Sequence, residues 1–363
     1  MHSVPLVDLA TQHAPLAEEL QRAATRVLGS NRFILGDEVA AFETAVATMS
    51  GVAHAVGVSS GTDALLAMLA AAGIGPGDEV ITTPYSFIAT VEAIVRVGAR
   101  PVFADIDLET LNLDPARVAE RVGSATSALL PVHLFGRPAA VSKLEQIARR
   151  RSIALFEDAA QAIGAPTIGK LGRGAALSFF PSKNLGGFGD GGMIITDDEA
   201  LADRVRLLRG HGASRPHHHA ALGGNWRLDE LQAALLSVKL PHLPTWTELR
   251  RKVAFAYRSR LAQLPVELPP DDPGCVWNQF VIRVEADVRP KLIDHLARQS
   301  IATAIYYPAP LHLQPALCGL GHRAGDFPNA ERAACETLAL PIYPELGDDD
   351  LGRVVDAIVA FFG

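Results

Sequence analysis

Cysteine is scarce in this sequence, with three among 363 residues. Cys275, Cys318 and Cys335 are spaced neither as the ligands of a zinc site nor as a redox pair. A chain of this length can bury a large core without disulfides or structural metals, and unpaired thiols are typical of a reducing compartment. We therefore expect no metal centre and a cytoplasmic location.

Long apolar runs and an excess of positive charge are also lacking. The sequence has no run of about 18 apolar residues that could form a transmembrane helix. Its first residues do not show the basic segment and apolar core of a signal peptide. The formal net charge is -7, so electrostatics give no reason to expect nucleic acid or an anionic membrane as a partner. An anionic substrate would need a local binding site.

Short apolar segments alternate with helical patterns through the middle of the chain, which is typical of parallel α/β layering. The strands predicted there are 55–58, 79–82, 101–104, 128–132, 153–156, 175–180 and 193–196. The helices are 61–72, 87–97, 140–150, 198–208 and 228–240.

The pattern changes near the C-terminus. A long amphipathic helix is predicted at 245–264, and four prolines between 265 and 273 mark a boundary. The strands predicted beyond it are 276–284 and 302–305, and the helices are 288–299, 329–337 and 348–361. We predict a large domain, 1–245 with the N-terminal arm, and a small α+β domain, 246–363.

Two candidate sites follow predicted strands. The segment SSGTD at 59–63 begins a helix, where the free backbone N–H groups of Gly61 and Thr62 can bind a phosphate. Asp158 lies at a strand end, where ligands bind in open α/β sheets, and an Asp there can pair with a pyridinium nitrogen. Taken alone, both segments are also explained as helix caps.

Two further candidates lie in turns. Lys183 follows an apolar strand and precedes a run of glycines, so it can project into a cleft where a lowered pKa lets its amine form a Schiff base. Asn225 and Arg227 precede a helix and can bind an anion. Taken alone, Lys183 also fits a solvated loop lysine, and the other two also fit a capped helix start.

The order and spacing of six segments are far more specific than any one of them. These segments are SSGTDAL, GPGDEVI, EDAAQAIGA, SFFPSKNLGGFGDGG, RLDELQAALLSVKL and YYPAPLHLQP. Together they resemble the DegT-type sugar aminotransferases, a family of fold-type I enzymes that use pyridoxal 5'-phosphate. The resemblance runs from VPLVDLATQ near the start to LALPIYPEL near the end. It implies a large, mainly parallel sheet domain followed by a smaller α+β domain.

The resemblance also implies roles for individual residues. Lys183 would form the Schiff base with the cofactor, and Asp158 would pair with its ring nitrogen. The cofactor would further contact Gln161 at its ring hydroxyl, Phe87 on its ring face, and Gly61, Thr62 and Ser178 at its phosphate. Asn225 would reach the phosphate from a neighbouring subunit, which implies a homodimer with shared active sites. Substrate contacts would come from Arg227 and from the segment 306–312, which includes Tyr306, Tyr307 and His312.

Three features depart from the family pattern or suggest another chemistry. Trp226 stands where the family often has serine, and Tyr306 stands where it often has histidine, so no histidine role is carried over to Tyr306. The run of histidines at 217–219 suggests a metal, but three adjacent side chains do not easily share one metal face. We interpret this run as part of a surface or substrate loop.

The reaction implied is transfer of an amino group from L-glutamate to a keto-sugar nucleotide. The segments VWNQFVIRV and YYPAPLHLQP look closest to members that aminate a 3-keto sugar linked to UDP or dTDP. One alternative within this fold is a sugar dehydratase, in which a histidine replaces the Schiff-base lysine. Another is a cofactor-binding regulator without catalysis, which the absence of a visible DNA-binding segment disfavours.

Overall fold

The computed structural model describes residues 2–363, and its N-terminal two thirds are built on one mostly parallel sheet. The strands of the sheet are β1 (His54–Val58), β2 (Glu79–Thr82), β3 (Arg100–Phe103), β4 (Thr126–Leu130), β5 (Ala154–Asp158), β6 (Gly174–Ser178) and β7 (Gly192–Thr196). Their order is β1-β7-β6-β5-β4-β2-β3. Strands β3, β2, β4, β5 and β6 are mutually parallel, and β7 is antiparallel to both β1 and β6.

This topology brings three strand ends together. In the register of the sheet, Gly192 pairs with Val58 on one side and with Ser178 on the other. Strands β1 and β6 therefore run in the same direction and end at the same edge, one strand apart. Asp158, the last residue of β5, lies at that edge beside the end of β6. The carboxyl edge of an open α/β sheet is where such folds bind ligands.

Helices cover both faces of the sheet, which explains why the strands read as nearly continuous apolar runs. Ile194 of β7 packs on one face of the sheet, against helices 61–71 and 199–208. The adjacent residues Met193 and Ile195 pack on the other face, against helices 37–50 and 230–239. The helices are α1 (Leu9–His13), α2 (Ala17–Ser30), α3 (Asp37–Ser50), α4 (Gly61–Ala71), α5 (Ala89–Arg96), α6 (Pro115–Arg121), α7 (Val141–Arg151), α8 (Glu199–Leu208), α9 (Glu230–Lys239), α10 (Leu243–Leu261), α11 (Arg289–Arg298), α12 (Pro328–Glu336) and α13 (Asp348–Phe362).

The last third of the chain forms a second core. The hairpin strands β8 (Ala213–Arg215) and β9 (His218–His219) precede it, and it contains the antiparallel pair β10 (Phe280–Arg283) and β11 (Thr337–Leu340). Helices α10, α11 and α13 pack on this pair.

Val4 of the N-terminal arm is buried in the same cluster, and its N–H donates to the carbonyl of Ser300 at 2.9 Å. The start of the arm thus contacts the C-terminal part of the chain, and its assignment to the large domain stays a prediction. The boundary at 245/246 stays a prediction.

Three predicted elements in this part differ from the structure. The strand predicted at 276–284 is confined to β10, because Trp277 has a positive φ of 50° that breaks an extended run. The strand predicted at 302–305 is replaced by isolated bridges at Ile301 and Ala304, since the segment pairs with the arm on one side and with β11 on the other. Thr337, predicted to end a helix, begins β11.

A buried carboxylate ties the start of α9 to the start of α3. Glu230 is 3% exposed, and its oxygens accept the backbone N–H groups of Gly36, Glu38 and Val39 at 2.7, 3.0 and 2.9 Å. These N–H groups at the start of α3 have no partner within that helix. Glu230 therefore acts as a cap supplied from another helix.

We expect Glu230→Ala to lower the free energy of unfolding by about 2–3 kcal/mol, because it leaves three N–H groups without their charged acceptor. Chemical denaturation measures the change. Glu19→Ala, which removes an exposed acid from the first turn of α2, serves as the control and should shift stability by no more than about 0.5 kcal/mol. Equal stabilities of the two variants would show that the cap is not important.

Candidate active site

The start of α4 lies close against the end of β6. Gly61 is the first residue of α4, and the Ser60 hydroxyl caps the helix by accepting the N–H of Asp63 at 3.0 Å. A Cβ at Gly61 would lie 2.7 Å from the Cβ of Ser178, so only glycine allows this approach. The N–H groups of Gly61 and Thr62 point out of the helix start, since first-turn N–H groups have no acceptor within a helix. Together with the Ser178 hydroxyl they suit an anion.

Asp158 is buried at the end of β5 and held from two sides. One oxygen accepts the Thr90 hydroxyl at 2.7 Å, and the other accepts the Ala160 N–H at 3.1 Å. Burial raises the pKa of Asp158, and these hydrogen bonds and the charge of Lys183 oppose that rise. Thr90 was not among the predicted site residues. Its position three residues after Phe87, within the helix predicted at 87–97, was the available signal.

Lys183 lies in a tight turn after β6. Its N–H donates to the carbonyl of Phe180 at 2.8 Å, and the turn closes at Gly186, whose φ of 58° and close approach to the Pro181 carbonyl exclude a side chain. The side chain is half-buried. Withdrawal of its amine from water lowers the pKa of Lys183 to about 8, while the charge of Asp158 opposes this. About a tenth of this amine is therefore a neutral nucleophile at pH 7, whereas a lysine of ordinary pKa is almost entirely protonated there.

Gln161 connects this edge to two other segments. Its Oε1 accepts the N–H of Phe135 at 2.5 Å, and its Nε2 donates to the hydroxyl of Tyr307 at 3.4 Å. The Tyr307 ring lies between Tyr85 and Phe87, with centroid distances of 6.1 and 6.3 Å. Phe87 is 57% exposed, unusually high for an aromatic side chain beside buried neighbours. Its free face suits a planar ligand ring.

His312 does not join this group. Its side chain has no exposed surface, its Nε2 lies 3.0 Å from Glu331, and its ring packs on Phe327 with centroids 4.8 Å apart. Burial lowers the pKa of His312, and the bond to Glu331 opposes this. The substrate contact predicted for His312 stays a prediction, and this burial does not support it because the ring has no exposed surface. Tyr306, by contrast, is half-buried and accessible.

Asn225 and Arg227 lie on a strand-like approach to α9. Asn225 is exposed and forms a bridge with Gly210, and the Nε of Arg227 is buried without a hydrogen-bond partner. Within residues 2–363, no hydrogen bond joins either side chain to Lys183, Asp158 or Ser178. Both side chains are free to bind a group that the single chain does not supply.

The histidines at 217–219 are exposed in the β8–β9 hairpin, with His217 in the turn and His218 and His219 in β9. In the described part of the chain, no group of three or more His, Cys, Asp or Glu side chains is arranged to hold a metal ion. None of the helices described in residues 2–363 is long and apolar enough to cross a membrane.

Comparisons with known proteins agree over almost the whole chain. Residues 15–359 match the model of the DegT/DnrJ/EryC1/StrS aminotransferase family. A pleiotropic regulatory protein of Geobacillus stearothermophilus is 47% identical, over 99% of this chain and 99% of that protein. The dTDP-3-amino-3,4,6-trideoxy-alpha-D-glucose transaminase of Streptomyces venezuelae is 43% identical, over 98% of this chain and 95% of that one. The crystal structure of S. venezuelae DesV in complex with a ketimine intermediate has a TM-score of 0.96, with 42% identity and 99% of both chains covered. This likeness confirms the predicted fold class.

The electrostatic coupling of Lys183 and Asp158 predicts the effect of neutralising the acid. Because the charge of Asp158 raises the pKa of the amine against burial, we expect Asp158→Asn to move that pKa from about 8 to a lower value. The pH dependence of reductive methylation of Lys183 in cofactor-free protein, followed by peptide mass spectrometry, measures it. Asp190→Asn, at an exposed acid of the same loop, is the control. An unchanged or higher pKa in Asp158→Asn would refute the coupling.

Proposed function

The chain belongs to the DegT/DnrJ/EryC1/StrS aminotransferase family, and on this premise we propose that it transfers an amino group from L-glutamate to a keto-sugar nucleotide with pyridoxal 5'-phosphate as cofactor. The observation that carries the proposal is the pairing of a buried acid, Asp158, with a lysine whose pKa is about 8, at the edge where α4 and Ser178 form an anion site.

The residues present fit this cofactor. Ser178 and the N–H groups of Gly61 and Thr62 would hold its phosphate, since a side chain at residue 61 would fill the space beside Ser178. Asp158 would face its ring nitrogen, Phe87 its ring face and Gln161 its hydroxyl. When bound, the cofactor supplies a carbonyl carbon that captures amines and a ring that accepts electrons.

Lys183 and Asp158 have separate tasks in the reaction. The Nζ of Lys183 would hold the cofactor, and as a free amine it would take the proton from the Cα of the donor. Asp158 would place its charge near the ring nitrogen, and the Thr90 hydroxyl orients that carboxylate. Because Asp158 is buried, water does not screen this charge.

We propose a 3-keto sugar carried on dTDP or UDP as the acceptor. The similarity to a transaminase named for a dTDP-3-amino sugar supports this choice. The segment that contains Tyr306 and Tyr307 would lie against the sugar, since Tyr307 contacts Gln161 and packs near Phe87. Arg227, whose buried Nε has no partner, would bind an acidic group of donor or acceptor.

A homodimer with shared active sites would complete this site. The exposure of Asn225 supports a role in a neighbouring subunit. Exposed apolar side chains support an interface as well, because Phe33 and Ile34 are 45% and 49% exposed. Both residues precede α3, and Glu230 links the start of α3 to α9.

Two other functions are less well supported. A dehydratase of this fold has histidine where this chain has Lys183. A purely regulatory role has the name of the Geobacillus relative in its favour, yet a regulator would have no need for a lysine with a lowered pKa facing a buried acid.

A reverse assay with 2-oxoglutarate and a panel of 3-amino and 4-amino sugars on dTDP or UDP tests the proposal. We expect the cofactor-loaded protein to convert 3-amino sugars and release L-glutamate. Conversion of 4-amino sugars alone would contradict the choice of substrate, and conversion of none would contradict the proposed function.

The matched variants in the same assay are Lys183→Ala and Lys291→Ala. The first should lower turnover by at least about a thousandfold, because it removes both the nucleophile and the base. The second removes a solvent-exposed lysine of α11 and should leave turnover unchanged.

A further inference from the structure

Tyr85 is a fully buried tyrosine whose hydroxyl joins the two parts of the chain. It belongs to the loop between β2 and α5, two residues before Phe87. Its hydroxyl donates to the carbonyl of Tyr306 at 2.6 Å and accepts the N–H of Tyr307 at 3.1 Å. The Thr337 hydroxyl lies 2.8 Å away, and it is the donor there because the single proton of Tyr85 is already used.

The three hydrogen bonds of this hydroxyl are all made with the peptide group between Tyr306 and Tyr307 and with the side chain of Thr337. Burial raises the pKa of Tyr85 to about 12, so the hydroxyl is protonated and can donate near neutral pH. Tyr85 has no exposed surface, and it therefore touches neither cofactor nor substrate.

The hydrogen bonds of Tyr85 to Tyr306 and Tyr307 form one of two anchors that hold the segment from Tyr306 to Leu311. The other is the N–H of Leu311, which donates to the carbonyl of Pro84 at 2.7 Å. Between these anchors the chain forms an arc, 306–310, in which Pro308 is exposed and both tyrosines are half-buried. Adjacent residues of one loop, Pro84 and Tyr85, thus fix both ends of the arc relative to Phe87.

We propose that Tyr85 is a positioning residue for the sugar acceptor, which sets the place of Tyr306 and Tyr307 without touching the substrate. This inference rests on the proposed function, because it takes the arc to lie against the keto sugar. The donor amino acid reacts at Lys183, whose turn makes no hydrogen bond to Tyr85 among the described residues. Loss of the hydroxyl should therefore affect the two half-reactions unequally.

Tyr85→Phe tests the inference in the cofactor-loaded protein. We expect the half-reaction with L-glutamate, followed by cofactor absorbance in single turnover, to stay within about twofold of the wild type. The KM for the amino-sugar nucleotide in the reverse half-reaction should rise by about tenfold or more, because the peptide group between Tyr306 and Tyr307 loses its buried partner. Calorimetric binding of the same nucleotide sugar to cofactor-free protein should weaken in parallel.

Two further variants separate positioning from loss of stability. Tyr257→Phe removes another buried hydroxyl, which donates to the carbonyl of Pro341 at 3.0 Å in the C-terminal core, and it should leave both half-reactions unchanged. Thr337→Val removes only one of the three bonds, and its effect on KM should be smaller and of the same sign. This variant keeps the test available if Tyr85→Phe does not fold.

Equal slowing of both half-reactions in Tyr85→Phe, or an unchanged KM for the nucleotide sugar, would overturn the inference while leaving the proposed function intact. Failure of the wild type to react with any nucleotide sugar would overturn both.

Discussion

The site depends on one electrostatic arrangement, a buried carboxylate that faces a lysine amine with a lowered pKa. Burial raises the pKa of Asp158 and lowers the pKa of Lys183. Thr90, Ala160 and the mutual attraction of the two groups offset that tendency. The sheet makes the arrangement possible, because the parallel strands β5 and β6 end side by side and deliver both groups to one edge.

A second buried lysine explains how the turn that carries Lys183 is held. Lys239, at the end of α9, donates to the carbonyl of Gly186 at 2.5 Å and lies 3.0 Å from His13. Burial lowers the pKa of Lys239 to about 8 as well, but its amine is occupied by these partners. Within residues 2–363, no comparable hydrogen bond engages the amine of Lys183. Helix α9 therefore supports the turn and leaves the reactive amine free. Through Glu230 it also links the turn to α3.

Local patterns predicted the sheet well, and long-range contacts explain where the structure differs from the predictions. The strands of the large sheet are recognisable because both of their faces are buried, so most of their positions are apolar. Lys183 and Asp158 were recognisable as candidates because they lie at or shortly after the ends of such strands. The bonds of Tyr85 had no local signal, since its partner Thr337 is 252 residues away. The burial of His312 against Glu331 likewise depends on the packing of α12, which no periodicity reveals. The segment at 302–305 has strand-like composition, yet its neighbours limit it to single bridges.

Lys183 and Lys239 both have a pKa near 8, so both are candidates for the lysine that bonds to the cofactor. Only Lys183 faces Asp158. Borohydride reduction of the cofactor-loaded protein, followed by peptide mass spectrometry, identifies the lysine that carries the cofactor. The structure predicts the modification on Lys183 and on no other lysine, because the amine of Lys239 is held by Gly186 and His13. Modification of Lys239, or of no lysine at all, would contradict the account.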